Sequence, residues 1–124
     1  MRFISTGTHG ALDYIVGLIL MGMPWVLGFT TGGPEQWVPF VLGAGTIVYS
    51  LVTQYELSLV ALLPMPVHLA LDALGGVFLI ASPWLFGFAD RVFWPFVAIG
   101  IFEILASLTT RTVAERTRPA SLRP

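Results

Sequence analysis

HGALDYIVGLILMGMPWVLGF, residues 9–29, and HLALDALGGVFLIASPWLFGF, residues 68–88, align without a gap and are identical at ten of 21 positions. The shared residues are His, Ala, Leu, Asp, Gly, Leu, Pro, Trp, Gly and Phe. Each stretch is apolar over close to the ~20 residues that carry a helix across ~30 Å of hydrocarbon. In lipid the backbone must satisfy its own hydrogen bonds, so a continuous run of this length reads as a helix.

Each copy is followed by a second apolar segment, and these match more weakly through WVPFVLGAG and WPFVAIG. The four segments run from about Gly10 to Phe29, Trp37 to Thr53, Val67 to Phe88 and Phe93 to Thr110. A repeat unit of two crossings returns to the side it started from. Its two copies therefore run in the same direction, about an axis along the membrane normal. The predicted fold is an all-α polytopic membrane protein: four transmembrane helices arranged as two tandem parallel-repeat hairpins. Repeat 1 covers about 8–53 and repeat 2 about 67–110, within a single domain 1–110 followed by a basic cytoplasmic tail, 111–124. Thr30 to Pro34 and Ala89 to Arg91 carry turn chemistry. LSLVALL, residues 57–63, reads as a short helix on the membrane surface.

Composition agrees. Of 124 residues, 56% are hydrophobic and 10% charged, against roughly 25% charged in soluble domains. A soluble fold of this size exposes too much of its surface to hide that much apolar area. The net charge of −1 offers no basic face for nucleic acid, and the absence of cysteine excludes disulfides, thiolate metal sites and cysteine nucleophiles. The first apolar run is full length and continues into PWVLGF, so it reads as a retained helix, not a cleaved signal.

There is no lysine, and five of the six arginines lie at the termini: Arg2, Arg111, Arg116, Arg118 and Arg123. Only Arg91 falls in a loop on the opposite side. The positive-inside rule then puts both termini in the cytoplasm. Trp25, Trp37, Trp84 and Trp94 all fall at the other ends of the helices, where they form an outer interfacial belt. Pro24 and Pro83 lack the amide hydrogen that a helix interior needs, so each is expected to kink or end its helix beside its tryptophan. Gly17 and Gly76, at equivalent repeat positions, and Gly43, Gly45 and Gly100 are expected to let helix backbones approach closely.

The paired motifs MPWVLGF and SPWLFGF resemble those of the SPW-repeat family of small bacterial integral membrane proteins. The resemblance covers about residues 8–110. It implies a bacterial inner-membrane location and a paired-helix fold, and it implies no activity. Met23 stands where the family motif has serine, so the hydroxyl is not needed in that half.

The polar residues within the apolar runs are the candidates for chemistry, because a charge at the bilayer centre costs about 2.5–3.5 kcal/mol on insertion scales. The repeat duplicates a His-x-x-x-Asp pair, His9 with Asp13 and His68 with Asp72. Four residues on a helix is one face, so each imidazole can meet its carboxylate. Both pairs fall near the cytoplasmic ends of their helices. With Glu56 just past helix two and Glu103 two turns inside helix four, they define one inner-leaflet group of six.

Three roles fit that group. It can pin the hairpins together as buried polar glue. It can handle protons, although the stretches 17–23 and 75–81 offer no polar continuation. It can bind a divalent metal such as zinc, iron or manganese, or haem through His9 and His68. No hydrolase, phosphate-loop or dinucleotide motif is present. The sequence thus reads as a non-enzymatic structural or interaction protein without a cofactor. Its partners are the lipid bilayer and a further membrane protein or a second copy. The alternative is a metal- or proton-binding protein built on the His–Asp pairs.

Overall fold

The computed structural model describes residues 2–53 and 57–112. Glu56 and the arginines of the tail beyond residue 112 lie outside the described residues. Four helices follow in order: α1 Thr6–Leu27, α2 Pro34–Leu51, α3 Met65–Leu85 and α4 Trp94–Thr109. Among the described residues the only β-structure is two isolated bridges, Ile4 with Thr110 and Thr53 with Leu63. α1 and α3 are long and apolar enough to cross a membrane, and α4 is apolar but shorter.

Local chemistry sets the helix ends. Ser5 caps α1 by accepting a hydrogen bond from the Thr8 amide. Prolines begin α2 and lie in the first turns of α3 and α4, where a missing amide hydrogen costs nothing. At the other end, the repeated Pro-Trp-x-x-Gly-Phe forms a glycine cap. Gly28 and Gly87 adopt the left-handed conformation, with φ of 77° and 74°. The following phenylalanine amides then turn back onto the proline carbonyls, Phe29 to Pro24 at 2.8 Å and Phe88 to Pro83 at 2.7 Å. This geometry swings Phe29 and Phe88 into the core, where both pack against Phe96. The prolines therefore do not end their helices: α1 and α3 each continue past them, to Leu27 and Leu85. In α3 the hydroxyl of the buried Ser82 donates to the Leu79 carbonyl at 2.8 Å. That is the carbonyl to which Pro83 cannot donate. Met23 occupies the same place in α1 and packs into the core instead.

Each hairpin closes on a pair of glycines. A Cβ on Gly43 would lie 2.5 Å from the Gly17 carbonyl oxygen, and one on Gly100 would lie 2.6 Å from that of Gly76. The backbones cross too closely for any side chain there. Gly45 differs from the expectation: a Cβ there would meet nothing within 4 Å, because it faces away from α1.

The expected surface helix at 57–63 does not form. Seven residues are too few to recover the cost of nucleating a helix. The segment instead donates to the last carbonyls of α2, from Leu59 and Val60 to Leu51 and from Leu62 and Leu63 to Val52. The chain entering α1 does the same for α4: the Phe3 and Ile4 amides bond the Thr109 carbonyl, and the Arg2 guanidinium bonds those of Ser107 and Thr110.

The packing is inverted relative to a water-soluble bundle. Leu18, Val26, Val41, Val48, Leu74 and Leu105 point outward, while His9, Asp13, Thr53, His68, Asp72, Ser82 and Thr110 are buried. The four tryptophans are exposed at one end, and the His–Asp residues lie at the other.

The glycine crossings yield a paired expectation. Gly100→Ala should lower the thermal midpoint in detergent, by about 1–3 kcal/mol of stability, through overpacking against backbone. Gly45→Ala, with open space and better helix propensity, should leave the midpoint unchanged or raise it. Equal losses at both positions would contradict this packing.

Candidate functional site

His9 and Asp13 lie one turn apart on α1, and His68 and Asp72 one turn apart on α3. Both faces turn inward and meet at the centre of the bundle. Within each helix the His Nε2 to Asp Oδ1 or Oδ2 separations are 3.1 and 3.2 Å. The shorter contacts cross between the hairpins. His9 Nε2 lies 2.7 Å from Asp72 Oδ2, and His68 Nε2 lies 2.7 Å from Asp13 Oδ2. The four groups thus form a closed ring with partners exchanged between the repeats. All four side chains are at most 2% exposed.

Two threonines fix how each imidazole faces the ring. Thr110 Oγ1 lies 2.7 Å from His9 Nδ1, and Thr53 Oγ1 lies 2.6 Å from His68 Nδ1. Each hydroxyl has one proton, and it is committed to a helix carbonyl, Ala106 for Thr110 and Tyr49 for Thr53. The threonine oxygens therefore accept, and each Nδ1 carries the donated hydrogen. Both Nε2 atoms are left to the ring. These bonds also exchange between repeats, since His9 on α1 reaches the end of α4 and His68 on α3 reaches the end of α2.

A tyrosine joins the ring at Asp72. The Tyr49 hydroxyl donates to Asp72 Oδ1, and the Tyr49 ring packs edge-on against His68 with centroids 4.9 Å apart. Beside it lies a cavity of about 20 Å³ lined by Thr46, Tyr49, Asp72 and Glu103, among others. That is room for about one water molecule. Glu103 is therefore brought near the ring but does not join it. Beyond it, toward the tryptophan end, the core is Val16, Leu20, Met23, Leu79 and three phenylalanines. Of the six candidates, four form the ring, Glu103 faces it across the cavity, and Glu56 falls outside the described residues.

The sequence reading missed Thr53, Thr110 and Tyr49. The two threonines each close a helix of one repeat, seven residues after the buried Thr46 and Glu103, and that shared spacing was the available signal. It missed a second polar contact as well, at the tryptophan end. The Glu35 carboxylate accepts from the Thr31 hydroxyl and, at 3.2 Å, from the Arg91 guanidinium. This ties the first turn of α2 to the loop before α4.

Glu35 precedes the apolar stretch of α2. Its burial pushes the carboxyl upward, but the hydrogen bonds from Thr31, its own amide and Arg91 outweigh this and hold it below its ordinary value of 4.5. A depressed folded value means stabilisation that is present above about 4.5 and is lost as pH falls through the folded value. The thermal midpoint should therefore drop on acidification below that point, and Glu35→Gln should flatten this part of the profile. An identical acid profile in the variant would refute the assignment.

No curated protein and no solved structure matches the chain. The model of one protein family, the SPW repeat domain, matches residues 7–110, which takes in both hairpins, the His–Asp ring and both threonine contacts. The chain belongs to the SPW-repeat family.

Proposed function

We propose that this chain is a non-enzymatic, multi-pass integral membrane protein in which the His–Asp ring locks two hairpins into one bundle. All four helices cross the bilayer of the bacterial inner membrane, with both termini in the cytoplasm. The inverted packing, the exposed tryptophans at one end and the arginine distribution support that placement. The apolar exterior takes the lipid bilayer as its first partner. A groove of about 400 Å³ between α1 and α4, lined by Leu18, Gly22, Val26, Trp94, Ala98 and others, fits an acyl chain. A helix from a second copy or from another membrane protein would meet the same face.

The locking role rests on the exchange of partners between the repeats. Lipid tails are as apolar as leucine, so the hydrophobic effect does not press the two hairpins together. Within a hairpin the glycine crossings supply close van der Waals contact. Between hairpins, the ring and the two His–Thr bonds supply directional contacts that neither repeat can make alone. With two protons held in the His–Asp contacts, the group carries no net charge, which is the condition for burying it without a large penalty.

Double-mutant cycles test this. His9→Ala alone should cost about 3 kcal/mol or more, because it leaves a buried carboxylate short of a partner. The coupling energy of His9 with Asp72, across the hairpins, should fall at the upper end of the ~0.6–1.7 kcal/mol measured for interhelical bonds. It should exceed the coupling of His9 with Asp13 on the same helix. Couplings in the opposite order, or none, would show that the ring does not hold the hairpins together.

A further inference from the structure

We propose that His9, Asp13, His68 and Asp72 form a closed, four-ligand site for one divalent transition-metal ion of the zinc type, taken up in exchange for two protons. The inference builds on the ring geometry behind the locking role and adds a ligand to it.

Three observations carry it. First, one donor atom from each of the four residues lies within 4.8 Å of the others. The contacts around the ring are 2.7, 3.1, 2.7 and 3.2 Å. Ligand atoms around a tetrahedral zinc sit ~3.3 Å apart, given metal–ligand bonds of about 2.0–2.1 Å. The His–Asp separations therefore lie within about 0.6 Å of that spacing, and the wider separations, up to 4.8 Å, have to close around the ion.

Second, the imidazoles are already set as metal ligands. Nδ1–H of each is held by a threonine, which keeps that proton in place and turns Nε2 toward the centre. This is the outer-shell arrangement that orients metal-bound histidines. Tyr49 does the same for Asp72. These three residues are positioning residues, since they touch the ligands and not the ion.

Third, the charge balances. Without metal, the two histidines and two aspartates hold two protons between them and carry no net charge. A divalent ion bound to two neutral imidazoles and two carboxylates also leaves none. Uptake thus releases two protons to solvent, forms four metal–ligand bonds and breaks the four His–Asp contacts. A monovalent ion would leave the buried site negative and a trivalent ion would leave it positive, each at a large desolvation cost. Two imidazoles and two carboxylates with no open position suit a structural zinc-type ion better than calcium or magnesium, which prefer all-oxygen shells. Haem does not fit, because Asp13 and Asp72 occupy the gap between His9 and His68 where the macrocycle would lie.

The test uses the full chain, purified in detergent and stripped with a chelator. Zn²⁺ added in weak buffer should bind one ion per chain and release two protons per ion to a pH indicator. Co²⁺ should give the intense visible bands of tetrahedral coordination, and these should be lost on adding Zn²⁺. Thr53→Val and Thr110→Val, which keep all four ligands, should weaken Zn²⁺ binding ~10–100-fold with the stoichiometry unchanged. Asp72→Asn should abolish the two-proton exchange. Uptake that is absent, proton-free or the same in all three variants would overturn the metal site. Failure of this inference is distinguishable from failure of the lock. A chain that takes no metal but melts earlier as His9→Ala keeps the lock and loses the ion. A metal-free chain that melts alike with and without His9 loses the lock.

Discussion

Everything at one end of this bundle depends on the burial of four ionisable groups that must satisfy one another. A carboxylate or imidazolium removed from water is tolerated only with compensating charge and complete hydrogen bonding. His9, Asp13, His68 and Asp72 meet both conditions as a ring, and neither hairpin can meet them separately. The constraint therefore couples the two repeats. A displacement of α1 against α3 that breaks one 2.7 Å contact strains the other, because each helix contributes one donor and one acceptor.

The remaining contacts follow from that arrangement. Because His9 reaches Thr110, α1 is tied to the end of α4. Because His68 reaches Thr53, α3 is tied to the end of α2. The same two pairings recur in the backbone, where Ile4 bridges Thr110 and Leu63 bridges Thr53. Side chain and main chain thus agree on which helix ends meet. The tryptophan end works by different means. There, the glycine caps fold Phe29 and Phe88 inward onto Phe96, and Glu35 with Arg91 spans the loops. One end of the bundle is held by polar complementarity and the other by aromatic packing.

Much of this is legible in the sequence. The 21-residue repeat predicted the helices, their pairing, the glycine crossings and the candidate His–Asp faces. What could not be read was partner choice across the bundle. Helical spacing says that His9 and Asp13 share a face, but it says nothing about which face of another helix they meet. Thr53, Thr110 and Tyr49 escaped notice for that reason, since each is ordinary in its own helix and becomes specific only against the other repeat. The 57–63 segment departs from the expected surface helix for a different reason. Its leucines and valine suggested a surface helix, but its amides were needed by the last carbonyls of α2, and that demand cannot be seen from its own composition.

The repeats depart from symmetry at both ends of the bundle. Ser82 in α3 stands where α1 has Met23, and it satisfies the carbonyl that Pro83 leaves without a donor. Tyr49 bonds Asp72, and the corresponding place in α4 is Ala106, whose carbonyl likewise receives the nearby threonine. Glu103 faces the cavity beside Asp72, and its counterpart Thr46 bonds back to its own helix at Leu42. Two identical repeats would place two equivalent carboxylates at the centre. Here Asp72 receives the Tyr49 hydroxyl and looks onto a space large enough for a water. Duplication supplied the His–Asp pairs in two copies, and divergence at the Tyr49/Ala106 and Thr46/Glu103 positions set the surroundings of Asp72. The buried ring therefore meets a polar space at Asp72, which is where a water would first reach it.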